Sequence, residues 1–277
     1  MSTKMKYCTH NNHLNLTEIK TTKNYTWFFC RHCHLLFCDK KNNNHKIFKT
    51  RLKIFNNFND GNKYEFLSIL EKVKKIYFKK KIEWLDYGCG SGGEIKILND
   101  KNINAIGFEP NPTLFQQSLK KKIKVFNKLS KINSNKKFDI IFTKNTFKYI
   151  DSFPLKISEL SSKIKKNGLF VWSDKFFDFF PQEMNDLEQS LTTGSYLFKK
   201  TILYFLSLNN LKIVEVKFYL DSSFLIIAKK TGKISYNKNI QLAFIQEFLI
   251  RNQFILKLIH GIRKLLHKLF LRIRNSL

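Results

Sequence analysis

Trp84-Leu85-Asp86-Tyr87-Gly88-Cys89-Gly90-Ser91-Gly92-Gly93 decides how this chain is read. The run Ile82–Tyr87 reads as a strand, and Glu94–Asp100 beyond the glycines reads as a helix. Glycine lets a backbone turn sharply and lie close to a ligand. The helix that follows offers unpaired N–H groups at its start. Parallel sheets bind ligands outside the carboxyl ends of their strands, which is where this turn falls. The glycines alone leave two ligands open. Gly88, Gly90 and Gly93 satisfy G-x-G-x-x-G, the fingerprint of a dinucleotide site. Asp86, two residues before the first glycine, suits a cationic or amino-bearing ligand better than a pyrophosphate.

The alternation of strand and helix patterns continues on both sides of this turn. Tyr64–Lys79 reads as a helix with Phe66, Leu67, Leu70, Val73 and Ile76 on one face. Beyond the glycines come a strand over Asn104–Glu109, a helix over Pro112–Lys121 and a short strand over Lys124–Asn127. Phe138–Thr143 is a fourth strand, Leu155–Lys165 a helix, Gly168–Ser173 a fifth strand and Ser195–Leu208 a helix. Leu211–Phe218 and Phe224–Lys229 close the series as a strand pair about an Asp221-Ser222 turn. Residues 60–230 therefore predict an α/β fold whose Rossmann-like sheet is mostly parallel, with one antiparallel strand.

The segment Leu85-Asp86-Tyr87-Gly88-Cys89-Gly90-Ser91-Gly92 resembles motif I of class I S-adenosylmethionine-dependent methyltransferases. The resemblance extends over roughly residues 60–230. It implies S-adenosylmethionine as cofactor, with the loop of Gly88, Cys89, Gly90 and Gly92 beneath its methionine and ribose parts. Asp86 would lie near the cofactor's amino group. Glu109, followed by Pro110 at the end of the second strand, would hold the ribose hydroxyls, since one carboxylate can accept from both. Asn127 stands where many members carry an acid facing the adenine amine. Asn145 falls in a loop that in the family faces cofactor and substrate. Many small-molecule members have a Glu-His pair near the end of that loop, whereas this chain has Lys148-Tyr149. A histidine base is therefore missing there, and Tyr149, Lys144 and Asp174 remain as positional candidates.

Residues 1–45 form a separate Cys/His-rich segment. Cys30-Arg31-His32-Cys33 is a C-x-x-C unit, with Cys38 close behind and Cys8, His10 and His13 ahead. Thiolates and imidazoles at the two ends of a hairpin-like segment suit tetrahedral zinc, and so short a module has little core of its own. Trp27 to Phe37 resembles the second knuckle of the zinc ribbon that precedes some methyltransferases acting on sugars. The first knuckle in that group is C-x-x-C, but here Asn11 stands at that spacing from Cys8. Cys8, His10, Cys30 and Cys33 are the expected ligands, with His13 and Cys38 as alternatives. A ribbon that has lost its metal is the competing reading. The ribbon resemblance implies a sugar, sugar nucleotide or other small molecule as acceptor, in surface-glycan assembly; the alternatives are an RNA methyltransferase and a cofactor-binding or scaffold protein that has lost catalysis.

Residues 236–277 form a basic tail. Leu258, Ile262, Leu265, Leu266, Leu269 and Ile273 recur at helical spacing, with Lys257, Arg263, Lys264, Lys268 and Arg272 on the remaining face. Over 254–277 this pattern suits peripheral contact with an anionic membrane, and equally a helix docked on its own domain or on a second subunit. The net charge of +29 suggests a polyanionic partner such as RNA. Abundant Lys, Asn, Ile and Phe also fit an A/T-rich coding bias, so charge alone favours neither reading. No signal-type apolar region opens the sequence, and no uncharged apolar run reaches the roughly 18 residues of a spanning helix. Four of the five Cys lie in the first 38 residues and one in the glycine loop, unlike a secreted disulfide set. The expectation is a cytoplasmic protein, with the tail able to meet the inner membrane face.

Overall fold

Trp84, Leu85, Asp86 and Tyr87 are all buried, which a strand achieves when both of its faces are covered. The computed structural model describes residues 16–21, 25–30, 33, 35–40, 60–147, 150, 153–175, 195–196, 199–219 and 223–232. The strands are β1 (Leu16–Thr21), β2 (Tyr25–Cys30), β3 (Leu36–Lys40), β4 (Glu83–Tyr87), β5 (Asn104–Phe108), β6 (Val125–Phe126), β7 (Phe138–Lys144), β8 (Ile164–Lys175), β9 (Ser195–Tyr196), β10 (Leu211–Phe218) and β11 (Ser223–Lys230). The helices are α1 (Asp60–Ile76), α2 (Gly93–Asp100), α3 (Pro112–Lys120), α4 (Phe153–Ser162) and α5 (Lys199–Leu208).

Seven strands form one sheet in the order β10-β11-β8-β7-β4-β5-β6. β8, β7, β4, β5 and β6 run parallel, and β11 alone is reversed, pairing antiparallel with both β8 and β10. This is the expected mostly parallel sheet with a single antiparallel strand. Alternate residues serve opposite faces. On one face Trp84, Ile140 and Phe142 meet Phe66, Ile69 and Leu70 of α1 and Ile95 and Leu98 of α2. On the other, Leu85, Ile141, Phe170 and Trp172 meet Phe153 and Ile157 of α4 and Phe205 of α5. Each such side chain, fully buried, contributes roughly 1.5–3 kcal/mol.

Several boundaries differ from those the sequence pattern predicts. The α4 helix stops at Ser162 and β8 begins at Ile164, so Lys165, expected to end the helix, lies in the strand. Residues 195–196 are strand and not the start of a helix, because they pair with Leu36 and Phe37 of β3. The N-terminal segment is more regular than its composition suggests. Its strands β1, β2 and β3 form an antiparallel sheet that β9 completes. Cys30, Cys33, Leu35 and Phe37 share one apolar cluster with Tyr87, Phe108 and Phe147. The tail from residue 233, including 254–277, lies outside the described residues.

A buried carboxylate ties the amino ends of the central strands together. Asp139 at the start of β7 accepts from Tyr77 Oη and Lys79 Nζ, each at 2.7 Å, from Lys165 Nζ at 2.8 Å and from the Glu83 N–H at 2.9 Å. Burial alone would raise its carboxyl, but the bonds from Lys165, Lys79, Glu83 and Tyr77 outweigh that and hold it well below the usual range. A depressed carboxyl stabilises the fold above its unfolded pKa, about 3.9, and the gain is lost as the pH falls through the folded value. Asp139→Asn should therefore cost about 2–4 kcal/mol at pH 7. Urea unfolding at a series of pH values should show the variant losing less stability in acid than the wild type.

Candidate functional site

The turn after β4 is shaped by three glycines with different tasks. Gly88, Gly90 and Gly92 all have positive φ, at 83°, 56° and 78°. A Cβ on Gly88 would lie 2.3 Å from Thr146 Oγ1, and one on Gly92 would lie 2.4 Å from Ile123 Cδ1. Those two glycines admit neighbouring elements. A Cβ on Gly90 would meet nothing within 4 Å, so among the described residues its peptide borders open space. The Gly90 peptide is fixed from both sides: its N–H donates to Glu109 Oε2 at 2.9 Å, and its carbonyl accepts from Ser118 Oγ at 2.9 Å. Lys121 Nζ reaches Ser91 O and Oγ, both at 3.1 Å. Ser118 and Lys121 are supports that the sequence pattern did not single out, since only the fold brings α3 against the loop.

Glu109 follows β5 and is 6% exposed. Its second oxygen accepts from the Asn111 N–H at 2.8 Å, while Asn111 caps α3 by accepting from Thr113 and Leu114 N–H. Burial raises the Glu109 carboxyl, and the Asn111 and Gly90 N–H groups pull it back. Pro110 is exposed beside it. Cys89 turns away from the open space: its thiol packs where a Cβ on Gly107 would lie, 2.5 Å from Sγ. What Cys89 offers the turn is backbone and packing.

Asp86 carries the strongest signal. The residue is 2% exposed, and its Oδ2 has no hydrogen-bond partner among the described residues. Burial, then the charges of Glu94 and Glu109, push its carboxyl well above the usual range against the pull of Lys144. An unpaired buried polar atom costs about 1–3 kcal/mol, so its persistence points to a ligand that would satisfy it. The amide oxygen of Asn127, just past β6, is likewise buried with no partner among the described residues.

The remaining candidates are spread along the same edge. Lys144 ends β7 and pairs with Glu65 of α1 at 2.5 Å. Asn145 has φ 53° and donates its N–H to Ser173 O at 2.9 Å. Asp174 is buried near the carboxyl end of β8. Tyr149 lies outside the described residues, as do Cys8, His10 and His13 and the side chain of Cys38. Cys30 and Cys33 flank the start of the turn between β2 and β3, both fully buried. Among the described residues no group of three metal-ligating side chains occurs.

A methyltransferase-domain family model matches residues 60–213, more than half of the chain. The chain belongs to the methyltransferase domain family. The chain has the fold of a putative sarcosine dimethylglycine methyltransferase from Galdieria sulphuraria. That match has a TM-score of 0.53 and 11% identity, covering 62% of this chain and 86% of the other. An S-adenosylmethionine-dependent methyltransferase from Clostridium acetobutylicum matches with a TM-score of 0.50 and 16% identity, over 68% of this chain and 98% of the other. The [4+2]-cyclase SpnF also matches, with a TM-score of 0.50 and 10% identity, over 60% and 81%. In sequence, an uncharacterized Haemophilus influenzae protein is 27% identical over 123 residues, 39% of this chain and 46% of its own length. The chain thus spans about half the length of that relative.

The different tasks of the glycines predict opposite variants. Gly88→Ala should lower stability by several kcal/mol, through steric overlap with Thr146 and a positive φ. Gly90→Ala should cost only about 1–2 kcal/mol, the backbone term alone, while narrowing the open space. Thermal melts of the two purified variants against the wild type check the ranking.

Proposed function

We propose that this chain transfers a methyl group from S-adenosylmethionine to a small-molecule acceptor, a sugar or a sugar nucleotide. The observation that carries the cofactor is Asp86, a buried carboxylate with an unsatisfied oxygen two residues before an open glycine turn. The donor set fits the group. Asp86 would face its amine, Glu109 its ribose hydroxyls and Asn127 its adenine amine. Gly90 leaves room for it to lie against the backbone. When bound, the cofactor supplies an electrophilic methyl on a sulfonium, which is already a good leaving group. The protein's task is then to hold the acceptor in line with that methyl. A hydroxyl acceptor must also lose a proton, and Asp174, at the same edge of the sheet, is our candidate to receive it.

The sugar class is supported by the likeness of Trp27–Phe37 to the second knuckle of a zinc ribbon. We take Cys30 and Cys33 to be ligands of a structural zinc, with Cys8 and His10 as partners. Metal analysis of the purified chain should find about one zinc per molecule. The Cys30→Ser/Cys33→Ser variant should lack it, and a metal-free wild type would mark the ribbon as degenerate. The 254–277 segment we assign to an anionic membrane surface, on its basic amphipathic pattern. A second reading, an RNA acceptor, draws on the eight lysines between Glu109 and Asp139, a stretch with no acidic residue. Binding to tRNA that is blind to sequence and shape and collapses with salt would count against it.

The fold also hosts a [4+2]-cyclase, so fold does not fix the reaction. Calorimetry provides the direct test. S-adenosylhomocysteine should bind the wild type, and Glu109→Ala or Gly90→Leu should abolish that binding. If the wild type instead takes NADH and ignores S-adenosylhomocysteine, the proposal is wrong.

A further inference from the structure

Lys144 is poorly placed to act as a base, because its ammonium is ion-paired with Glu65 and is mostly buried, the side chain being 13% exposed. Its surroundings fit another task. β4 and β7 are parallel neighbours, with Asp86 opposite Phe142. Lys144 lies two residues beyond Phe142 on β7. Its side chain therefore leaves the sheet on the same face as Asp86, one strand repeat, about 6–7 Å, nearer the carboxyl edge. Glu65 reaches it on that face from α1. Glu94 lies in the first turn of α2, directly after the glycine loop. The field of Lys144 is felt at both Asp86 and Glu94, where it opposes the upward push of burial.

One ammonium thus stands among three carboxylates, and one of these, Asp86, has a buried oxygen with no partner among the described residues. A ligand that completes this set must bring a cation to Asp86. If it also brings an anion within a few ångströms, Lys144 is placed to meet it. The α-amino-acid end of a ligand carries both charges on adjacent atoms.

We propose that Lys144, oriented by Glu65, binds the carboxylate at the methionine end of the cofactor while Asp86 takes the amine. The inference rests on the cofactor reading above but assigns a separate role, because it predicts which part of the ligand each residue senses. Lys144 and Asp86 read the amino-acid end, whereas Glu109 reads the nucleoside.

The experiment compares two probes by calorimetry: S-adenosylhomocysteine, which has the amino-acid end, and 5′-methylthioadenosine, which lacks it. Lys144→Met should weaken S-adenosylhomocysteine binding about 10- to 100-fold, as expected for one charge-assisted contact, and leave 5′-methylthioadenosine binding unchanged. Lys144→Arg should restore most of the loss. Glu65→Gln should produce a smaller loss, again confined to S-adenosylhomocysteine. Equal weakening of both probes by Lys144→Met, or no weakening of either, would overturn the assignment. A wild type that binds neither probe would instead remove the cofactor reading beneath it. The Lys144→Arg variant guards against a Lys144→Met protein that fails to fold.

Discussion

Glu109 holds two turns of the chain with one carboxylate. β4 and β5 lie side by side and turn at the same edge of the sheet, each into a helix. One oxygen of Glu109 takes the Gly90 N–H from the first turn, and the other takes the Asn111 N–H from the second. Ser118 then fixes the opposite side of the Gly90 peptide. The turn bordering the open space is therefore shaped by groups that belong to its neighbours. A ligand arriving there meets a backbone whose ordering cost has already been met in folding.

Asp139 and Asp86 show how one residue type serves opposite ends of the same sheet. Both are buried, and both lie on central strands. At the amino edge, Asp139 has four donors around it and is held ionised. At the carboxyl edge, Asp86 has an oxygen without a donor, and two further carboxylates oppose its charge. The first arrangement strengthens the fold and leaves nothing for a ligand to do. The second weakens the free protein, because burial and like charge act on the carboxyl and no hydrogen bond to that oxygen offsets them. Local sacrifice of this kind is expected where binding, and not stability, has shaped the residues.

The parts of the molecule legible in the sequence are those governed by local rules. The strand–glycine–helix turn at residues 84–93 is one, because positive φ and a helix start leave a short-range signature. The strand pattern of Phe138–Thr143 is another, because a strand covered on both faces is largely apolar, here Phe138, Ile140, Ile141 and Phe142. The strand at Ser195–Tyr196 was illegible, since its partners, Leu36 and Phe37, lie far earlier in the chain. The ion pair of Lys144 with Glu65 was hidden for the same reason. Ser118 reads as an ordinary helix residue until α3 is laid against the glycine turn. Cys89 is a further case: it sits within the motif, and only the fold shows that its thiol packs against Gly107.

The pairing of β3 with β9 bears on how the chain is made. The first three strands leave a ribosome early, but the strand that completes their sheet follows only after five strands of the large sheet have been synthesised. Until then the edge of β3 has no native neighbour, and an exposed strand edge invites pairing with other chains. Slower translation or a truncated product would prolong that interval. Misassembly during synthesis is thus a hazard concentrated at Leu36–Lys40, in a region remote in sequence from the glycine turn.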